Sequence, residues 1–159
     1  MAVITSAGTK LYVAGAHTTA DSVAEYDALT WVEVGEVTNF GEFGASYAEI
    51  THVPVGTNIT HKFKGTRNDG SLQLTLGRDP SDVGQADLVE ALDSYDSYDF
   101  KIELNDLPSG TGAKPTRFFF AGKVMSYTTN IGNGGQVVGA NTTISIDGAV
   151  LEGAKVAGS

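Results

Sequence analysis

From Gly65 to Leu104 the chain reads as a strand, one short acidic helix and a second strand, an order that few folds accommodate. Asn68-Asp69-Gly70 signals a turn. Leu72, Leu74 and Leu76 then alternate with Ser71, Gln73 and Thr75, the period-two pattern of a half-buried strand. Asp79-Pro80 predicts a helix start, with a carboxylate to cap free N–H groups and proline at the first helical position. Asp82 adds negative charge where the helix dipole is positive. Val83, Ala86, Val89 and Leu92 recur at spacing three, which assigns Asp87, Glu90 and Asp93 to water. Tyr98, Phe100, Ile102 and Leu104 then alternate with Asp99, Lys101 and Glu103. Each strand offers one apolar face, so the helix lies on or beside their sheet.

Length and composition narrow the class. A chain of 159 residues with 20 glycines and four prolines, and many threonines and valines, suits one mainly-β domain with numerous turns. There is no cysteine, which excludes disulfides and thiolate chemistry. No apolar run approaches the roughly 20 residues of a membrane helix, and the first residues lack the basic start and apolar core of a secretory signal, so the expectation is a protein made in the cytoplasm with no membrane partner. The formal charge is −9, and nine of the 19 acidic residues fall between Asp79 and Asp106. Such a surface argues against wrapping nucleic acid, though not against a channel through which DNA slides.

Three segments lack a use in an isolated copy: an N-terminal arm (1–10), a long loop (38–64) and a C-terminal arm (149–159). The long loop shows no sustained period, and a structureless loop of that length counts against an isolated domain. Tyr47 to Ile50 and Ile59 to Phe63 can pair as a hairpin across Val53 to Thr57, and a lone hairpin is marginally stable in water, so a projecting arm that docks on a neighbour is expected. The remaining elements are strands at Leu11–Ala14 and Trp31–Val37, a helical turn within His17–Ala28, a long strand at Thr116–Thr129 apolar on both faces, and a return strand after the Gly132–Gly135 turn. Trp31 reads as core.

No catalytic, cofactor or metal site emerges. His17, His52 and His61 lack zinc-ligand spacing, and Asp93, Asp96 and Asp99 lack the glycine and terminal glutamate of a calcium loop. There is no nucleophile elbow, P-loop or strand-linked Gly-x-Gly-x-x-Gly. His61, Lys62, Lys64 and Arg67 form the one basic concentration, read either as a solvated strand edge or as a docking patch for the acidic Asp79–Asp99 region of a neighbouring copy.

The order of a Trp31-Val32-Glu33-Val34-Gly35 strand, a long loop, Gly65 to Gly70 leading into the leucine strand, a helix opening at Asp79 to Gln85, and a late strand pair around Asn133-Gly134 resembles the tail tube (major tail) protein of long non-contractile tailed bacteriophages. The resemblance runs from Leu11 to Gly148. It implies a β-sandwich or partial barrel with one flanking helix and a projecting loop, six copies closing into a β-barrel ring, and rings stacking into a hollow tube that conducts DNA. It implies no enzyme activity and no cofactor. Implied partners are further copies, a tape-measure protein and tail-tip or terminator proteins, in a virion tail assembled in the host cytoplasm. The loop positions Phe40, Phe43, Tyr47, Ile50, Val53, Pro54, Val55, Lys62, Lys64 and Arg67 are then the expected contacts between subunits and rings, and Asp99, Lys101 and Glu103 are candidates to face the lumen. Four strands from each of six copies, about 4.8 Å apart and tilted about 45°, give a backbone diameter of about 50 Å, wide enough for duplex DNA. The alternatives are a type VI secretion-like tube protein, and a monomeric β-sandwich carbohydrate-binding module with aromatics along a groove.

Overall fold

The computed structural model describes residues 3–159, so Met1 and Ala2 of the expected N-terminal arm lie outside the described residues. The elements are β1 (Lys10–Ala16), α1 (Val23–Asp27), β2 (Val32–Val34), β3 (Val37–Asn39), β4 (Ser46–His52), β5 (His61–Asn68), β6 (Ser71–Gly77), α2 (Val83–Asp93), β7 (Tyr98–Glu103), β8 (Arg117–Asn130) and β9 (Gly139–Gly153). Seven strands form one antiparallel sheet in the order β2-β1-β7-β8-β9-β6-β3, and β4 and β5 form a separate ribbon. The mainly-β reading holds, but within one copy the sheet does not close into a barrel, because β2 and β3 stand at its two ends.

The sheet folds over itself along its two longest strands. Irregularities at Phe119/Ala121 and Val124/Ser126 divide β8, so that Arg117–Gly122 pairs with β7 while Ser126–Asn130 pairs only with the start of β9. Bulges bend a strand and add twist there. Leu11, Val13, Phe100 and Ile102 from one half thereby meet Leu72, Leu74, Leu76 and Ile144 from the other, with Leu88 and Ala91 of α2 closing the side. The second bulge also moves Tyr127 to the core face, against the simple alternation that placed it with Phe119 and Met125. On the opposite face Phe119 stacks on Tyr26 of α1, ring centres 5.3 Å apart, and packs against Trp31. Both faces of Arg117–Gly122, the first part of β8, are therefore covered, whereas Met125 at the second bulge and Thr128 beyond it are exposed, so the cover expected for the whole strand is found for its first part.

Helix α2 departs from the sequence expectation in start and in phase. Its N-cap is Asp82, whose carboxylate accepts from the Gln85 and Gly35 N–H groups. Asp79-Pro80 makes the preceding turn, Asp79 accepting from Ser81. The buried face is Gly84, Gln85, Leu88 and Ala91, not the Val83-Ala86-Val89 series. Gly84 sets this phase: a Cβ there would lie 2.6 Å from Val34 Cα, so only glycine lets the helix rest on β2. Gln85 is buried with every amide valence used, donating to the Gly35 and Gly77 carbonyls and accepting from Asp79 N–H and the Tyr127 hydroxyl. A buried amide so satisfied costs little and fixes where the helix sits.

The C-terminal segment is not a free arm. Residues 149–153 complete β9, Val156 bridges to Lys114, and Gly158 and Ser159 donate to the Ser109 and Thr111 carbonyls. The expectation of a loose end fails because the 109–115 loop offers unpaired backbone groups that the last residues satisfy.

Candidate assembly surface

The ribbon β4–β5 is the part of the molecule with the least reason to exist in one copy. It continues the β3–β6 pairing outward: Val37↔Leu76 and Asn39↔Thr75 in the sheet are followed by Ser46↔Asn68 and then His52↔His61. The Asn68-Asp69-Gly70 signal is thus a kink between collinear strands, with Gly70 at φ +80°, and not the reversal that the sequence suggests. Every residue of β4 is exposed, as is all of β5 but the half-buried Gly65.

Each face of the ribbon has its own chemistry. Opposed pairs share a face. Ile50↔Phe63 and His52↔His61 make one face, on which Ile50 is 53% and Phe63 57% exposed. Glu49↔Lys64 and Thr51↔Lys62 make the other, where Lys62 meets Glu49 at 3.4 Å and the Lys64 ammonium lies 4.9 Å from the Tyr47 ring centre. Val53 and Val55 stand exposed at the tip, with Pro54 half-buried between them. Of the residues expected as contacts, Tyr47, Ile50, Val53, Val55, Lys62 and Lys64 are exposed in one copy.

Three of the expected contacts are engaged within the chain. Phe43 sits edge-on to Phe118 at 5.3 Å, and Phe40 is packed on the same core, so both plug the ribbon's base. Arg67 makes a two-pronged pair with buried Asp69, Nε–Oδ1 2.8 Å and Nη2–Oδ2 3.0 Å, and Asp69 also accepts from Val150 N–H. This is the anchor of the ribbon. The Arg67 hydrogen bond holds the Asp69 carboxyl below its ordinary value, against burial, with the Val150 N–H assisting. A carboxyl depressed on folding contributes stability that is complete above the unfolded value of about 3.9 and is lost as pH falls through the lower folded value. Asp69→Asn is expected to cost about 2 kcal/mol at neutral pH. Urea midpoints across the acid range check this, and the variant's loss of stability below about pH 4 should be the shallower.

The lumen candidates are also placed differently. Asp99 is 2% exposed and lies 2.6 Å from His17 Nδ1; burial raises its pKa, with the His17 bond opposing. Lys101 and Glu103 pair at 3.3 Å and are mostly covered, with the ammonium 4.4 Å from the Tyr12 ring centre. A buried or internally paired charge presents little field to open space, so these three do not form a charged wall in this copy. The alternation was read correctly, but the segment carrying His17, Tyr26 and Trp31 covers the second face of β7 and β8. A buried ion pair at Asp27, which accepts from Arg117 Nε at 2.9 Å and Nη2 at 2.8 Å, pins that segment.

The sheet face left open lies on its other half. Gln73, Thr75, Thr128 and Asn141 are exposed there, with Thr143 and Ser126 half-buried beside them. This face carries hydroxyls and amides at its centre and, beside them, the exposed Lys123–Asp147 ion pair, 3.2 Å apart. Two unpaired edges border it: β3 on one side, and the stretch from Lys123 to Asn130 of β8, to which no described strand pairs outward, on the other. Among the described residues no three His, Cys, Asp or Glu side chains gather as metal ligands, and no helix is long and apolar enough to cross a membrane.

No family model matches the chain, and no curated protein matches it either. Solved structures do match over nearly its whole length. An "anti-feeding prophage (AFP) baseplate, 6-fold symmetrised" chain aligns with TM-score 0.72 at 11% identity, covering 97% of each chain. A chain of the sheath/tube terminator of PVC, an extracellular contractile injection system, aligns with TM-score 0.68 at 17% identity, covering 97% of this chain and 99% of its own. The SPP1 tail tube aligns with TM-score 0.63 at 15% identity, covering 93% of this chain and 77% of its own. The chain has the tail-tube fold, the expected structural resemblance, and the matches include a tail tube and parts of contractile injection systems.

Proposed function

We propose that copies of this chain assemble into stacked rings that form a hollow tube in a virus tail, a structural role without catalysis. The observation that carries the reading is the exposed β4–β5 ribbon, whose Ile50–Phe63 face stays in water unless another copy covers it. The open half-sheet supplies the second part of the geometry. An edge at β3 and an edge at Lys123–Asn130 are different surfaces on one copy, so joining one to the other is a head-to-tail contact, which closes into a ring when the rotation allows. Six, the number of copies from which the diameter above was worked out, is also the symmetry named for the AFP baseplate. Closure also removes the free edges that otherwise invite aggregation.

The wall of the channel is then the polar face of Gln73, Thr75, Asn141 and Thr128, bordered by the Lys123–Asp147 pair. It replaces Asp99, Lys101 and Glu103 in that role. Hydroxyls and amides hold a water layer, and Lys123 beside them is paired with Asp147 and so offers phosphates a neutralised cation, which suits transit of DNA without retention. A tape-measure protein inside the growing tube, terminator and tip proteins at its ends, and assembly in the host cytoplasm complete the reading. The test is negative-stain microscopy and light scattering of purified protein over a concentration series. Rings or tubes with a stain-filled centre are expected. A monodisperse monomer at every concentration would overturn the proposal and favour a binding module.

A further inference from the structure

The ribbon's second face also has a fitting surface on the chain. Between α2 and the second half of β8 lies a groove of about 250 Å³ lined by Arg78, Pro80, Ala86, Val89 and Tyr127, with Asp79 and Gln85 at its margin. A space of that size takes an aromatic ring, since a cavity of about 150 Å³ accommodates benzene. Arg78, 5.1 Å from the Tyr127 ring centre, and Asp79 are the charged residues of its lining; beyond the lining α2 is acidic, carrying Asp87, Asp93 and Glu90, the last accepting from the Tyr98 hydroxyl, and no lysine or arginine occurs from Asp79 to Phe100. Burial raises the Asp87 pKa, and the charges of Glu90 and Asp82 raise it further. On its second face the ribbon has the opposite balance, Lys62 and Lys64 against Glu49, which lies 3.4 Å from Lys62, while Arg67 is held by Asp69. Its basic face also bears Tyr47, half-exposed beneath the Lys64 ammonium.

We propose that this groove receives the β4–β5 ribbon of a second copy. Tyr47 enters between Ala86, Val89 and Tyr127, and Lys62 and Lys64 lie against Glu90 and Asp87. The spacings agree: alternate residues of a strand advance about 6.8 Å, and one helical turn about 5.4 Å, so two flexible ammonium groups reach two carboxylates one turn apart. Aromatic residues seated in apolar pockets anchor interfaces, while the charged rim sets register and speeds encounter. In one copy β4 and β5 pair with each other and with no other described strand, so donor and acceptor are assigned to different copies. The Ile50–Phe63 face remains for another contact. This inference rests on the tube reading and names the partner surface within it.

Charge reversal with rescue tests it in the full chain. Lys62→Glu with Lys64→Glu is expected to raise the concentration needed for polymerisation by about tenfold or more, on the scale of several interface charge pairs. Adding Asp87→Lys and Glu90→Lys to the same chain should restore assembly to within about threefold of the parent, because each new lysine faces a new glutamate on the next copy. Because the chain has no cysteine, Lys62→Cys with Glu90→Cys gives a second readout that leaves the other charges in place. Oxidised polymers should yield a ladder of linked chains on denaturing gels, and Lys62→Cys with Lys114→Cys should not. Parent protein that polymerises while the reversal is harmless, the rescue fails or the ladder is absent overturns this docking and leaves the tube reading standing. Parent protein that never polymerises overturns both.

Discussion

Deleting Val53 to Asn58 is expected to give a folded monomer that no longer polymerises. The deletion leaves His52 and His61 joined by Ile59-Thr60, a two-residue connection of the length that antiparallel hairpins favour. Nothing of the core is touched, since the segment packs on neither apolar cluster. Stability should therefore stay within about 1 kcal/mol of the parent, as for surface changes away from packed features. Assembly should fail, because Val53 and Val55, the latter 96% exposed, are lost from the ribbon's leading end. Sedimentation velocity together with near-ultraviolet circular dichroism separates the two effects. Loss of the dichroic signal along with assembly would show that the tip supports the fold of a single copy.

The largest effect on the fold itself is expected at Gly84. A Cβ alone would lie 2.6 Å from Val34 Cα and 2.8 Å from the Glu33 carbonyl carbon, both backbone atoms that cannot swing aside. Gly84→Leu must lift α2 from β2. That separation breaks the Asp82 contact to Gly35 N–H and the Gln85 bonds to Gly35 and Gly77, and leaves a buried amide unmatched. Overpacking and unsatisfied polar groups together cost about 3 kcal/mol or more. For a domain whose total stability is about 5–15 kcal/mol, the variant should unfold at a much lower urea concentration and assemble poorly for that reason. Val83→Leu, one residue away and pointing to solvent, should change little. Equal urea midpoints for Gly84→Leu and the parent would mean that the helix does not rest on β2 as described.

These two experiments also mark where the sequence was legible. Alternation identified β6 and β7 almost to the residue, because one face of each is apolar and the other polar. The ribbon was legible as a hairpin without an apolar anchor, since its pattern of mixed faces denies it a place in the core. The phase of α2 was not, because its buried face is centred on a glycine and a glutamine, and neither registers as apolar. Gly84 is there for want of a side chain, and Gln85 for its four hydrogen bonds, properties that appear only once β2 and β6 are in position. Asp99 was assigned to solvent for a related reason: nothing in its strand announces that a segment some 80 residues earlier, His17, will cover it. The bend in β8 was hidden too, because a bulge changes which face Tyr127 occupies without changing the order of residues.

The channel wall carries the account's main physical content, since the surface facing the axis decides what passes. A cryo-electron microscopy reconstruction of polymerised protein tests it most directly. It is expected to show a hollow tube with Gln73, Thr75, Asn141 and Thr128 on the inner surface, α2 away from the axis, and β3 of each copy beside the Lys123–Asn130 edge of the next. A filament without a bore, or a tube lined by α2 and its carboxylates, would contradict the account.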